Sequence, residues 1–506
     1  MAVSLAHANN IAISNVSITG QNNAQKFKLI EFDISWDNAW LVNSGPNNWD
    51  AAWVFVKYRS KADNTNTWHH ATLHYVNGTG SGDGHTEPTN SNISSRNDTG
   101  SGGAHGVFIH RTNLGHGPVS YTDVRLRWNY GVDGLGDGDN VELCVMGIEM
   151  VYVPQGSFVV GSGGGEAGAF YTQPTITEPY QISSEAAITV GTMAGNLYYA
   201  SILSGGDRGG PIPAGFPKGY NATYCMKYEI TQSQYVAFLN RLTYSQQVTR
   251  TAVSPTLPAG TAAMFTGGPL NAARNGIKIM TSGVASTTPA VYACDFNNNG
   301  IYDQSSDGQS IACNHLSWAD VAAYLDWAAL RPMTELEYEK AGRGNQAPVA
   351  TEYAWGNTSI TAAISITSPG SNNEIANPSA NCTFQNGVQG PMRSGTFAQA
   401  LTTRVESGAS YYGIMELSGN VWERPVTVGD PLGRAFSGNN GDGDLSPAGN
   451  ANTLLWPAFN AVGAGVRGGS YSDSAIYVRL SDRFFAANPF SPRVGNDGGR
   501  GLRLAP

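Results

Sequence analysis

The sequence predicts a multidomain protein that begins with an antiparallel β-sandwich and continues into a loop-rich region with a few short helices. The chain has 506 residues, which is more than one ordinary hydrophobic core accommodates. Short segments with alternating apolar and polar residues dominate residues 9–147, and turn-forming tracts separate them. Further along the chain, helix-capping sequences are scattered among glycine-rich stretches, which is typical of short helices between long loops.

The composition excludes two classes of partner. Charged residues make up 13% of the chain, about half the usual ~25%, and the net charge is -9. A nucleic-acid partner is not expected, because phosphate binding needs clustered Lys and Arg, and the sequence has no such run. A membrane span is not expected either, because no apolar stretch approaches the roughly 18 residues that a spanning helix requires.

The first residues favour export. Residues 1–8 read MAVSLAHA, and Ala6, His7 and Ala8 have the small-x-small form of a signal-peptide cleavage site. We therefore interpret residues 1–8 as a residual signal or leader and expect an extracellular or cell-surface location reached by bacterial-type secretion. The alternative is an ordinary start followed by chance alanines.

Residues 9–147 are predicted to form the β-sandwich domain. In residues 29–36, Ile30, Phe32, Ile34 and Trp36 would face one side of a strand while the polar residues face the other. Six further segments have strand character: residues 11–18, 53–58, 68–75, 107–110, 124–130 and 141–146. Many short strands without a convincing helical period favour an antiparallel sandwich.

Three capping patterns predict helices in the second half of the chain. Thr231 with Gln234, Ser317 with Asp320, and Thr334 with Glu337 each place an N-cap residue three positions before a side chain that can return the hydrogen bond. The second helix is expected to run to about residue 329, before the break imposed by a proline.

Several blocks after residue 150 occur in the order found in one known family. They are MVYVPQGSFVVG (150–161), YCMKYEITQSQYVAFLNRLT (224–243), the block at 314–344, YAWGN (353–357), YYGIMELSGNVWERP (411–425) and the segment 466–506. Together they resemble the formylglycine-generating enzyme/sulfatase-modifying-factor domain. The resemblance implies an α+β, C-type-lectin-like fold for residues 148–506, with insertions at about 162–215 and 245–310. A weaker likeness links 466–506 to the variable regions of retroelement-diversified C-type-lectin-like proteins.

A polar loop in the second insertion has the spacing of calcium ligands. Its candidate ligands are Asp295, Asn297, Asn299, the Ile301 carbonyl, Asp303 and Asp307. Cys294 and Cys313 flank the loop and could close it as a disulfide in an oxidising compartment. We predict a structural calcium here; the alternative is an Asx-rich turn that needs no ion.

The family resemblance implies a second structural calcium and raises the question of catalysis. The calcium would involve Asn420 and Glu423 of the SGNVWE motif. The family's two copper-binding cysteines would fall near Asp473 and Val478, yet no cysteine follows Cys382. Copper is not expected because Cu(I) demands thiolate ligands, and iron is not expected because the related iron branch of the family needs a histidine-rich site while His315 is the only histidine after His116. We therefore lean towards a non-catalytic protein, while enzyme activity stays open.

What remains is a recognition surface in the C-terminal segment. Its Tyr, Arg and other polar or aromatic side chains are typical of binding surfaces. The predicted ligand-binding residues are Tyr471, Asp473, Tyr477, Arg479, Asp482, Arg483, Phe490, Arg493 and Asn496. The leading hypothesis is an exported binding or adhesion protein that recognises an unknown protein or glycan. The alternatives are a structural subunit that self-assembles through its N-terminal domain into a surface layer or filament, and a divergent metal-dependent oxidase.

Overall fold

The structure is a computed structural model that describes residues 10–62, 67–200, 204–268, 272–399 and 401–506. The expected leader at residues 1–8 lies outside the described residues. In the part of the chain that is described, no helix is long and apolar enough to cross a membrane.

Strands outnumber helices. The strands are β1 (Ala12–Asn22), β2 (Phe27–Leu41), β3 (Asp50–Ser60), β4 (His69–His70), β5 (Leu73–His74), β6 (Ser91–Ser94), β7 (Gly103–Ala104), β8 (Val107–Arg111), β9 (Gly115–Trp128), β10 (Val141–Val153), β11 (Phe158–Val160), β12 (Tyr171–Thr172), β13 (Tyr180–Ile182), β14 (Leu197–Tyr198), β15 (Thr223–Met226), β16 (Ile277–Thr281), β17 (Val291–Cys294), β18 (Arg331–Pro332), β19 (Ile366–Thr367), β20 (Ile375–Ala376) and β21 (Gly501–Leu504). The helices are α1 (Gln232–Leu239), α2 (Tyr244–Arg250), α3 (Trp318–Trp327), α4 (Glu335–Arg343) and α5 (Pro431–Arg434), with one short 3-10 turn at Ala272–Arg274.

Two large sheets organise the N-terminal region. The first sheet has five strands in the order β1-β2-β9-β5-β7, and the second has the order β18-β21-β15-β10-β3-β8-β6, with β4 also paired to β3. Side chains from both sheets share one core, which includes Phe32 and Leu126 from the first and Val54 and Ile109 from the second. Along most of β2, buried and half-buried residues alternate, as the sequence predicts.

The second sheet continues without interruption into the C-terminal region. Strand β10 pairs along one edge with β3, from Val141 opposite Ser60 to Val151 opposite Asp50, and along the other edge with β15. The predicted boundary between residues 147 and 148 therefore falls inside β10. One face of β3 packs on the first sheet, while Trp53 and Phe55 on its other face share a core with α1 and α3. Because both faces are covered, β3 is buried almost throughout.

The three predicted helices begin where their capping sequences place them. Thr231, Ser317 and Thr334 are the N-caps of α1, α3 and α4, and each takes part in a complete capping box. Helix α2 has a capping box of the same kind, Thr243 with Gln246, which the sequence analysis did not single out.

The predicted disulfide between Cys294 and Cys313 is wrong, because all five cysteines are free. Cys294 ends β17 and Cys313 precedes α3, and both thiols are packed inside the core that α1 and α3 share with the second sheet. Burial raises the pKa of both thiols well above the usual value. Apolar packing, not a covalent bond, therefore holds the two ends of the polar loop in place.

Candidate functional site

The C-terminal segment is attached to helix α4 by a buried network of ion pairs. Arg467 lies 3.2 Å from Glu335 and 3.0 Å from Glu339, and the Arg483 Nε donates to Glu335 over 2.5 Å. Arg343 extends the network, because it pairs with Glu339 at 3.2 Å and also with Glu352. These side chains are at most 1% exposed to solvent, so residues 466–483 lie on a buried base of ion pairs.

Two consecutive glycines turn the chain at the start of this segment. Gly468 and Gly469 have φ values of 86° and 67°, in the left-handed region that favours glycine. A Cβ atom on Gly469 would lie 2.4 Å from Cγ1 of Val478, and one on Gly468 would lie 2.7 Å from the Leu417 carbonyl oxygen. The two glycines therefore allow the backbone to approach Val478 and the Leu417 carbonyl closely.

A cleft of about 300 Å³ opens between this segment and the SGNVWE motif. Its lining residues are Trp422, Val466, Asp473, Phe485, Asn488, Phe490, Val494, Asn496 and Asp497. The Trp422 and Phe485 rings meet edge to face with centroids 5.9 Å apart, and Phe490 is 39% exposed at the rim. The Trp422 amide donates to the Asn496 carbonyl over 2.9 Å, which joins the two sides of the cleft. The cleft therefore combines aromatic faces with amide and carboxylate groups.

Two carboxylates line the cleft, and each has a local partner. Asp473 accepts a hydrogen bond from the Ser470 amide at 3.0 Å, and burial raises its pKa. Burial also raises the pKa of Asp497 to about 6, although the charge of Arg424 opposes the shift. Arg424 pairs with Asp497 and donates to the Phe490 carbonyl over 2.8 Å, so it supports the rim.

Three of the nine predicted ligand-binding residues line the cleft, namely Asp473, Phe490 and Asn496. Tyr471, Tyr477 and Arg479 are half-buried and do not line it.

The prediction of surface roles for Arg483 and Asp482 is wrong. Arg483 is fully buried against Glu335, and the Asp482 carboxylate is buried while accepting the Phe484 amide at 3.1 Å. Arg493 is half-buried and bound to Asp320 through two hydrogen bonds, at 2.7 and 2.8 Å. The arginines of this polar segment predict a recognition surface, but Arg483 and Arg493 instead form ion pairs with the buried carboxylates of Glu335 and Asp320.

The cleft also contains residues that are not among the predicted ligand-binding residues. Trp422 is only 5% exposed, yet it forms part of the cleft wall. Phe485, Asn488 and Val494 join it through turns of the segment. No periodic pattern marks these positions, because the segment lacks regular secondary structure between Ser470 and Arg500.

The positions of the family's copper ligands do not suit copper here. Asp473 is bonded to Ser470, and Val478 is fully buried in a cluster with Tyr353, Trp355 and Cys382. A carboxylate and a valine cannot supply the two thiolates that Cu(I) needs.

The predicted calcium loop gathers oxygen atoms around Asp295. Its carboxylate accepts the Asn299 amide at 3.1 Å and lies 3.0 Å from the Lys278 Nζ. Asp303 accepts the Cys294 amide at 3.0 Å. One oxygen of Asp307, Oδ1, is buried and has no hydrogen-bond partner. This free acceptor fits a cation, whereas Oδ2 of Asp295 is already paired with Lys278.

The predicted second calcium site has a different arrangement. The Asn420 Oδ1 accepts the Met392 amide at 2.7 Å, and its Nδ2 donates to Glu229. Glu423 is paired with the fully buried Arg500. Arg500 thus supplies the positive charge here, and these residues do not fit a calcium ion as well as the loop at 295–307 does. Within the described ranges, no three His, Cys, Asp or Glu side chains converge as a metal cluster would, so a calcium ion would also need amide and carbonyl oxygens.

The described part of the chain combines strands, short capped helices and long loops around a C-terminal cleft. The comparison with known families identifies the domain. The profile of the sulfatase-modifying factor enzyme 1-like domain matches residues 139–496, and the chain belongs to this family. No curated protein sequence matches the chain.

Two solved structures are similar to this chain in part. PvdO from Pseudomonas aeruginosa is 18% identical, with 71% of this chain and 95% of PvdO covered and a TM-score of 0.33. Treponema denticola variable protein 1 is 13% identical, with 71% and 96% covered and a TM-score of 0.32.

Proposed function

We propose that the chain is an exported, non-catalytic binding or adhesion protein that recognises a protein or glycan ligand in the C-terminal cleft. The supporting observation is the composition of the cleft, where Trp422, Phe485 and Phe490 offer aromatic surface beside Asn488 and Asn496. Such surface binds sugar faces and peptide side chains, and amides give directional hydrogen bonds. The buried base under the cleft reduces the entropy that is lost on binding.

The loss of the family's cysteine positions supports a binding role over an oxidase. Asp473 places a carboxylate in the cleft where the resemblance implies a thiol. Val478, at the other such position, is a buried packing residue. The lectin-like scaffold would then serve to display side chains, with calcium in the loop at 295–307 as a structural ion.

The experiment is a binding screen with the full chain. Labelled protein is applied to arrays of glycans and of peptides from extracellular proteins, and hits are measured in solution. We expect Phe490→Ala and Asn496→Ala to weaken binding about tenfold or more, as is usual for residues central to an interface. The matched control is Phe459→Ala, which removes an equally large ring that is 71% exposed outside the cleft.

Two outcomes would contradict the proposal. One is a ligand whose affinity is unchanged by Phe490→Ala and Asn496→Ala but lost in Phe459→Ala. The other is turnover of a peptide thiol by the purified chain with copper supplied, which would favour the oxidase.

A further inference from the structure

A second and larger cavity lies where the N-terminal sheets meet the family domain. Its volume of about 730 Å³ is within the range of small-molecule sites. The walls come from the ends of β3 and β10, the residues after α1, and the β16–β17 hairpin of the second insertion. Most of the wall is apolar, with Leu143, Leu242, Met280 and Val291 among the lining residues. The cavity can therefore bind the apolar part of a small molecule.

One cation on this wall, Arg241, has no counter-charge among the described residues. Arg241 is only 8% exposed, and it pairs with no carboxylate in the ranges that the structure describes. Its Nη2 donates to the Cys144 Sγ over 3.1 Å, while its Nε is buried without a hydrogen-bond partner. A guanidinium stays charged at any ordinary pH, and a buried charge without a partner is costly. The site therefore favours an anion.

The other charged groups on the wall are already compensated. Arg59 donates to Glu142, with its Nε 3.1 Å from Oε2. Asp303 accepts the Cys294 amide at 3.0 Å. The guanidinium carbons of Arg59 and Arg241 lie 5.1 and 5.2 Å from the centroid of the Trp68 ring. These contacts hold the indole as an aromatic part of the wall beside Arg241.

We propose that this cavity binds a small amphipathic molecule that has an apolar body and a single anionic group. The anion would accept hydrogen bonds from Arg241, and the body would lie against Trp68 and the apolar wall. This site is separate from the C-terminal cleft and shares no lining residue with it.

The probe is anilinonaphthalene sulfonate, which combines an apolar aromatic body with one anion and fluoresces when it leaves water. With the full chain we expect saturable binding that decanoate displaces and decanol, which lacks the charge, displaces far more weakly. Arg241→Met keeps most of the side-chain volume but removes the charge, and it should weaken binding about tenfold or more. The control is Arg208→Met, which removes an exposed arginine elsewhere.

A second variant keeps the test decisive if Arg241→Met does not fold. Val291→Trp fills the cavity from the hairpin side, where Val291 is 38% exposed, and leaves Arg241 in place. It should also abolish saturable binding. Unchanged binding in folded Val291→Trp would overturn the site, and equal displacement by decanol and decanoate would overturn the role of the anion. Both results leave the proposal for the C-terminal cleft untouched, because that proposal is tested by Phe490→Ala.

Discussion

Arg483 donates from its Nε to the Glu335 Oε2 over 2.5 Å, and neither side chain is exposed to solvent. The Arg483 guanidinium also lies 4.0 Å from the centroid of Phe170 and 4.2 Å from that of Tyr199. This contact joins the C-terminal segment to the start of α4 and to the first insertion. Arg483, which the sequence predicts to bind the ligand, is thus a buried residue that supports the C-terminal segment.

Loss of Glu335 should strongly destabilise the protein. Burial alone would raise the pKa of Glu335, but the charges and hydrogen bonds of Arg483 and Arg467 hold it below the usual value, so the carboxylate is ionised. Glu335→Gln leaves two buried guanidiniums poorly paired, and removing one partner of a buried pair costs about 3–5 kcal/mol. Urea unfolding would measure the loss. Glu406→Gln, at an exposed glutamate, is the control; an equally small effect of both variants would contradict the prediction.

The stability of the protein should depend on the titration of Glu416. Burial raises the pKa of this carboxyl from 4.5 to about 7, so the folded state binds its proton more tightly than the unfolded state does. The contribution is complete below pH 4.5 and is lost as the pH rises through about 7.

Glu416→Gln tests this directly. The glutamine can still accept the Gly395 amide, which lies 2.8 Å from Oε1, and its amide nitrogen replaces an oxygen that has no partner. Thermal unfolding between pH 4.5 and 8 should show a smaller decline for Glu416→Gln than for the wild type. Parallel curves would show that Glu416 does not titrate in this range.

Calcium should stabilise the chain through the loop at 295–307. A ligand that binds only the folded state adds about 2.7 kcal/mol when its free concentration is about a hundred times Kd. We expect Tm to rise with added calcium and to fall with a chelator. Asp295→Asn with Asp307→Asn should abolish the response, whereas Asn420→Ala should retain it. If Asn420→Ala alone abolishes the response, calcium binds at the SGNVWE motif instead.

All five thiols should be inert in the folded protein. Burial raises the pKa of Cys225 to about 12 and raises that of Cys382 even further, so neither forms a thiolate near neutral pH. Ellman's reagent should find no reactive thiol in native protein and all five after denaturation without a reductant. Fewer than five would indicate a disulfide, and peptide mapping would show whether Cys294 and Cys313 form it.

The family domain should not fold without the N-terminal strands. A chain that starts at residue 139, where the family match begins, keeps β10 but loses β3 and the first sheet. It would expose the apolar face of β10 and an unpaired edge, which favours aggregation. We expect insoluble protein, measured by the soluble fraction and by size-exclusion chromatography. A soluble truncated chain with cooperative unfolding would contradict this.

Local patterns in the sequence determined the strands of the N-terminal region and the three capped helices. Alternation in β2 and the boxes at Thr231, Ser317 and Thr334 depend on neighbours within a few residues, so a linear reading finds them. The ordered motifs likewise determined the family, which the profile match confirms. Three of the predicted ligand-binding residues, Asp473, Phe490 and Asn496, line the cleft at the C-terminal segment, and their role in binding stays a prediction.

Only the tertiary structure decided which polar residues are buried and which are available for binding. Arg483 and Glu335 are 148 residues apart, and Arg241 and Cys144 are 97 apart, so no local pattern reports either contact. The free thiols of Cys294 and Cys313 and the passage of one sheet through the predicted domain boundary have the same origin. A charged residue looks alike in sequence whether it meets water or a distant partner, and only the packing of the folded chain distinguishes the two.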